Sequence, residues 1–151
     1  MNAFNRIQGI QRIQRIVGAG LGAAAIVLAG CAGMSATRNV SVSLSGAEQV
    51  PPVSTAARGN GSFTVNEDHS VSGSVTIAGL APIAAHIHVG ARGTNGPVAV
   101  GLTKSSDTLW VVPAGARFSD DQYKAFLAGN TYVNFHTPAN KGGEIRAQLQ
   151  P

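Results

Sequence analysis

Apolar and polar residues alternate with a period of two along most of the chain after residue 39. The first such stretch, residues 40–45, alternates Val40, Val42 and Leu44 with serines. Side chains on a β-strand point to opposite faces in turn, so this pattern predicts a strand with one buried face. The same alternation, or a short apolar run between turn residues, predicts seven further strands over residues 62–66, 71–77, 84–89, 98–102, 109–112, 131–137 and 144–149.

One segment has the period of a helix instead. Ser119 is followed three residues later by Gln122, the capping-box pattern that opens many helices. An apolar face at helical spacing comes next, formed by Tyr123, Phe126 and Leu127. Gly129 suits the end of a helix. The sequence therefore predicts one helix over residues 119–128.

This order of elements predicts an all-β domain. The chain has 19 glycines and only 5% aromatic residues, which suits short strands joined by many turns. Eight short strands with one short helix predict an antiparallel Greek-key β-sandwich or barrel over residues 40–151. The sequence shows neither an internal repeat nor a second domain.

Residues 1–30 have the pattern of a secretory signal peptide. Three arginines and no acid precede an uncharged apolar stretch, residues 16–29, which is too short to span a bilayer. The ending Leu28-Ala29-Gly30-Cys31 resembles the bacterial lipobox, in which the cysteine is acylated and becomes the first residue of the mature chain. An ordinary cleavable signal with a chance cysteine and an uncleaved anchor are the alternatives.

This segment predicts that the protein is located at the bacterial cell envelope. We expect lipid on Cys31 to hold the protein to a membrane, with residues 31–39 as a short tether. Residue 32 is alanine rather than aspartate. By the sorting rules of Gram-negative bacteria, that favours the outer membrane, facing the periplasm.

Charge and cysteine content argue against nucleic-acid binding and against cysteine-based cross-links or metal sites. Removing residues 1–30 takes away three of the 11 basic residues and no acid, which leaves 8 basic and 7 acidic residues and a net charge of +1. No basic stripe remains to bind phosphates, so nucleic acid is not an expected partner. The single cysteine excludes an internal disulfide and a cysteine-cluster zinc site.

The histidines carry the clearest candidate chemistry. His86 and His88 are separated by one residue on a predicted strand, so both point to one face with Cα atoms about 6.5–7 Å apart. His136 lies on a later strand, on the same face as Asn134 and Tyr132. If the two strands are neighbours, three imidazoles can meet at one metal ion. Nitrogen ligands favour copper, our first choice, or zinc, the second.

The alternative for these histidines is a structural one. His86 and His136 could instead hydrogen-bond Asn134, Thr137 or Glu144 in a buried polar network. The fourth histidine, His69, falls in the turn 66–69, where a surface position is expected.

Glu144 and Arg146 share one face of the last predicted strand and allow two interpretations. They can form an ordinary solvated face. In the other, Arg146 lies near the histidines and attracts anions or braces a carboxylate.

Five segments in order resemble the chordin-type (CHRD) domain family. The resemblance runs from about residue 41 to 150. In one place the sequence departs from the family, because Glu48-Gln49 stands in the opposite order to the usual one, and this puts a functional role for Glu48 in doubt. The segments are residues 44–52 (LSGAEQVPP), 85–88 (AHIH), 95–98 (NGPV), 128–137 (AGNTYVNFHT) and 142–146 (GGEIR).

The resemblance implies a superoxide-dismutase-like or immunoglobulin-like sandwich or barrel. By distant similarity to copper/zinc superoxide dismutases, His86, His88 and His136 map onto copper ligands, and an arginine near the copper supports placing Arg146 there. No histidine lies between His88 and His136, so the bridging histidine and the zinc loop are absent, as is the disulfide. Dismutase activity of the copper/zinc kind is therefore not expected.

The sequence supports two candidate functions. One is a lipid-anchored module that binds copper or zinc through His86, His88 and His136, with Asn134, Glu144 and Arg146 in support. The other is a structural or protein-interaction domain, as in chordin, whose CHRD domains sit in an extracellular antagonist of signalling ligands. No catalytic residue is identified, because no second catalytic group accompanies the histidines.

Overall fold

The computed structural model describes residues 36–151, so the predicted signal peptide, Cys31 and the start of the tether lie outside the described residues. Within the described part, no helix is long and apolar enough to cross a membrane. The elements are β1 (Arg38–Ser45), a 3₁₀ turn (Gly46–Glu48), β2 (Arg58–Val65), β3 (Val71–Ala78), β4 (Ala84–Val89), β5 (Val98–Gly101), β6 (Thr103–Lys104), β7 (Leu109–Val111), α1 (Asp120–Leu127), β8 (Thr131–His136) and β9 (Ile145–Leu149).

All nine strands belong to one antiparallel sheet in the order β5-β4-β8-β9-β1-β2-β3-β7-β6. The two edge strands, β5 and β6, are consecutive in the chain and are joined by Leu102 alone. The edges of the sheet must therefore lie close together, and the sheet curls into a nearly closed barrel. This confirms the predicted all-β class with one short α-helix.

The inside of the barrel is filled by the apolar half of the alternating pattern. Along β1 the inward residues Val40, Val42 and Leu44 are buried, while Asn39, Ser41 and Ser43 are exposed. Burying such side chains removes apolar surface from water, which is the main favourable contribution to folding. The large buried apolar residues include Leu44, Phe63, Ile77, Ile87, Leu102, Trp110, Phe118, Phe126, Phe135, Ile145 and Leu149.

The helix forms as its capping pattern predicts. The Ser119 hydroxyl accepts from the Gln122 backbone N–H, and the Gln122 side chain accepts from the Ser119 backbone N–H. At the other end, the N–H groups of Gly129 and Asn130 bond the carbonyls of Phe126 and Ala125, with Gly129 at a φ of +71°. This is the Schellman arrangement, in which glycine tolerates the left-handed conformation.

Element boundaries differ from the prediction in several places. β1 begins at Arg38, before the predicted start at residue 40, and β2 begins at Arg58 rather than 62. Glycines at 59 and 61 have no side chain to show the alternation, which hid the first half of β2. β6 is too short to give a pattern, and β9 begins one residue later than expected, at Ile145.

Candidate metal centre

The histidines lie on the outer face of the barrel, on two neighbouring strands. On β4, Ala85 and Ile87 point into the core, so His86 and His88 point outward. β4 pairs with β8 in a register that sets His86 opposite Asn134, His88 opposite Tyr132, and His136 opposite Ala84. The strand pairing that the metal hypothesis needed is therefore present.

The three imidazoles converge. One ring nitrogen from each of His86, His88 and His136 lies within 4.8 Å of those of the other two. His86 Nδ1 and His136 Nε2 are 3.1 Å apart, and the ring centroids of His88 and His136 are 5.8 Å apart. Within residues 36–151 this is the one group of three or more potential ligand side chains that comes together in this way. The prediction that these histidines lie close enough to share an ion is confirmed.

Backbone carbonyls fix the orientation of two of the rings. His88 Nδ1 is 2.9 Å from the Gly96 carbonyl oxygen, and His136 Nδ1 is 2.9 Å from that of Lys141. A carbonyl only accepts, so Nδ1 carries the proton in both neutral rings and Nε2 keeps its lone pair. Protein metal sites commonly orient ligand histidines through the second ring nitrogen in this way.

Two buried acceptors at the site have no donor. His88 Nε2 and the Asn134 Oδ1 are both buried without a hydrogen-bond partner among the described residues. Asn134 also opposes the lowering of the His88 pKa. With Nδ1 of His88 bonded to a carbonyl, Nε2 of the neutral ring carries a lone pair that no donor among residues 36–151 meets. Such an arrangement is costly unless a cation lies nearby.

Burial keeps these rings neutral. Desolvation, followed by the nearby His136 and His88 rings, lowers the pKa of His86. Desolvation is also the main reason for the lowered pKa of His88, with smaller lowering by His136 and Arg146. The hydrogen bond to the Gly96 carbonyl and the nearby Asn134 side chain oppose this lowering. Neutral imidazole is the form that binds metal, so both side chains are ready to coordinate at neutral pH.

Arg146 is buried rather than solvated, so the interpretation of residues 144 and 146 as a solvated face is wrong for this residue. Its side chain is 1% exposed, and its guanidinium carbon lies 3.4 Å from the centre of the Tyr132 ring. Tyr132 in turn stacks on His88, with ring centroids 4.9 Å apart and planes 5° from parallel. Arg146 is thus near the histidines, separated from them by one aromatic ring.

Glu144 lies just before β9 and does not share the position of Arg146. Its carboxylate accepts from the Thr55 and Thr137 hydroxyls at 2.9 and 2.7 Å. These bonds, that of Thr137 first, lower the pKa of Glu144 against the opposing effect of burial. Among the hydrogen bonds of residues 36–151, neither Thr137 nor Glu144 reaches a histidine, so they form a separate polar contact beside the site.

The loop over residues 90–97 covers the outer face of the sheet and supports the site. Gly96 contributes the carbonyl to His88, and its N–H bonds the Tyr132 hydroxyl at 3.2 Å. A side chain at 96 would collide with the Val89 carbonyl oxygen, so the loop can approach the strand this closely only with glycine there. The sequence could not predict this contact, because a backbone carbonyl gives no signal in the residue types.

Gly143 is a second supporting position that the sequence pattern did not predict. Its φ is +122°, and a Cβ there would meet the side-chain nitrogens of Gln49 and Asn134. Gln49 is 3% exposed, and its nitrogen has no partner among the described residues. Glycine at 143 therefore leaves room for the Asn134 amide beside the histidines.

The remaining candidates lie away from the cluster. His69 sits in the turn 66–69 with its side chain 27% exposed, stacks on Tyr123 and lies 3.5 Å from an Asp120 oxygen. Glu48 pairs with Arg92 at 2.5 Å, on the surface.

Comparison with known proteins agrees with the motifs. A family model for the CHRD domain matches residues 40–149, most of the chain. Neither the curated proteins nor the solved structures include a significant match, so the similarity to superoxide dismutases stays a prediction. The chain belongs to the CHRD domain family.

Proposed function

We propose that this CHRD domain binds one transition-metal ion through His86, His88 and His136. The observation that carries the proposal is that one ring nitrogen of each histidine lies within 4.8 Å of those of the other two. The Nε2 of His88 is also buried without a hydrogen-bond partner among residues 36–151. Three nitrogens with no thiolate suit copper first and zinc second, zinc with a water in the fourth position. An exported protein would also meet copper outside the tight buffering of the cytosol.

The proton arrangement supports this proposal. His136 Nε2 keeps a lone pair, so His86 Nδ1 must donate to it in the metal-free site. If the proton of His86 moved from Nδ1 to Nε2, its Nδ1 would also carry a lone pair. This one tautomer change would let all three histidines offer a lone pair to an ion, with no net loss of a proton.

Calorimetric titration with Cu(II), Cu(I) and Zn(II) tests the proposal. We expect one ion per chain for the wild type and an affinity at least about 100-fold lower for His88→Ala, since loss of a ligand should exceed the 10–100-fold effect of losing a supporting contact. His69→Ala is the matched control, because His69 lies outside the cluster. If His88→Ala binds like the wild type, the histidines form a structural network and the domain is a structural or interaction module.

We further propose that lipid on Cys31 anchors the domain at the bacterial cell envelope. The support is the sequence alone: the only cysteine lies where the lipobox-like pattern requires it. Cells fed a clickable fatty acid should label the wild type, and Cys31→Ala should abolish the label. A wild-type chain that stays unlabelled and freely soluble would end this proposal.

A further inference from the structure

The buried guanidinium of Arg146 bonds no carboxylate among residues 36–151. Its guanidinium donates to four neutral oxygens: the Thr94 carbonyl at 2.9 Å, the Asn95 side chain at 3.4 Å, the Ala91 carbonyl at 3.4 Å and the Gln148 side chain at 3.3 Å. The nearby acid Glu48 is itself paired with Arg92. An arginine stays protonated in proteins, so a positive charge persists beneath this loop.

The strand order places Arg146 close to the candidate metal centre, with one aromatic ring between them. β8 lies between β4 and β9, so Tyr132 on β8 separates Arg146 on β9 from His88 on β4. The guanidinium carbon is 3.4 Å from the tyrosine ring centre, and that ring is 4.9 Å from the His88 ring. All three side chains are buried, with exposures of 1%, 1% and 7% for Arg146, Tyr132 and His88. Charges interact more strongly across such a low-dielectric layer than across water.

The ligands themselves add no negative charge. Three neutral imidazoles leave the full charge of the ion in place, and within residues 36–151 no carboxylate or thiolate joins the cluster. A divalent ion would meet twice the repulsion from Arg146 that a monovalent ion meets. Three ligands also match the low coordination number that Cu(I) accepts.

We propose, resting on the metal site proposed above, that Arg146 makes this site selective for the lower-charged ion, so that it holds Cu(I) in preference to Cu(II) and Zn(II). Tyr132 keeps the guanidinium at a fixed distance from His88. Arg146 acts through Tyr132 and His88 and is a positioning and selectivity residue, not a ligand.

The first test is the wild-type chain. Affinity for Cu(I), measured by competition with a chromophoric Cu(I) chelator, should exceed affinity for Cu(II), so the reduction potential of the bound copper should lie above that of the aqueous couple. A potential below that of the aqueous couple would overturn the inference while leaving the metal site intact. Failure to bind any of the three ions would instead overturn the proposed function.

The second test changes the charge at one position. Arg146→Gln should lower the ratio of Cu(I) to Cu(II) affinity about tenfold, equal to about 59 mV for one electron, and should strengthen Zn(II) binding. Arg146→Lys keeps the charge, so its ratio of Cu(I) to Cu(II) affinity should stay near that of the wild type. Arg117→Gln is the matched control, since Arg117 pairs with Asp68 and bonds no residue of the site.

These variants separate charge from structure. A merely structural arginine would weaken all three ions together, leave the ratio unchanged and gain no rescue from lysine, and that result would overturn the inference. If Arg146→Gln fails to fold, as circular dichroism would show, Arg146→Met takes its place, since it also removes the charge and should lower the ratio of Cu(I) to Cu(II) affinity in the same way. A folded Arg146→Met variant with an unchanged ratio would overturn the inference.

Discussion

At the scale of single residues, the ring nitrogen that faces away from the cluster determines what each histidine can do. Nδ1–H of His88 and of His136 donates a hydrogen bond to the carbonyl of Gly96 and of Lys141, respectively, which leaves both Nε2 lone pairs free to coordinate. Sequence spacing predicted that the histidines share a face. The carbonyls could not be predicted, because they come from loops whose path depends on the whole fold.

The lowered pKa values of His86 and His88 predict a pH dependence. An ordinary histidine is half protonated near pH 6.5. The lowered pKa values of these two ligands keep them neutral to lower pH, so metal affinity should change little between about pH 8 and 6.5. Below that range protons compete with the metal, and affinity should fall at least about tenfold by about pH 4.5. Titration calorimetry across this range measures it. A fall that is already complete above pH 7 would contradict the assignment.

The same shifts act on stability without metal, with a definite sign. The unfolded chain binds protons at these histidines more readily than the folded chain does. The contribution of the neutral rings is therefore present above about pH 6.5 and is lost as the pH falls toward their lower folded pKa values. Urea unfolding of the apo protein at pH 7.5 and 5.5 should show lower stability at the lower pH, and His86→Ala should reduce the difference.

At the scale of elements, strands could be predicted where apolar and polar side chains alternate. They could not be predicted where glycines, which have no side chain, interrupt that alternation. β4 matched its predicted bounds, and α1 followed its capping box. One of the two interpretations of the last strand gave it a polar solvated face, yet all five residues of β9 are buried. The loop over residues 90–97 covers that face, and a loop's resting place is set by tertiary contacts that no local pattern reports.

The capping box gives the prediction that belongs to this scale. Ser119→Ala removes the acceptor for the Gln122 backbone N–H and should lower the free energy of unfolding by about 1 kcal/mol. Thermal or urea unfolding measures the change. Ser41→Ala, on the exposed face of β1, is the control and should stay within about 0.5 kcal/mol of the wild type. Equal effects from both substitutions would show that the cap contributes nothing specific.

At the scale of the whole molecule, the fold has an apolar interior and a second, polar layer outside it. The first follows from the alternating pattern, which is why the all-β class could be predicted. The second brings Gln49, His88, Tyr132, Asn134, Arg146 and Gln148 together beneath the loops. It depends on the strand order β4-β8-β9, which joins segments far apart in the chain and cannot be read from local spacing.

Metal analysis of the full-length protein, purified without a histidine tag, tests the central claim most directly. We predict about one copper, or failing that zinc, per wild-type chain, and the same content in His69→Ala. The triple variant His86→Ala, His88→Ala, His136→Ala should retain none while keeping the β-sheet circular dichroism of the wild type. A wild-type chain without copper or zinc that also takes up neither on titration, or a triple variant with equal metal content, would contradict the account.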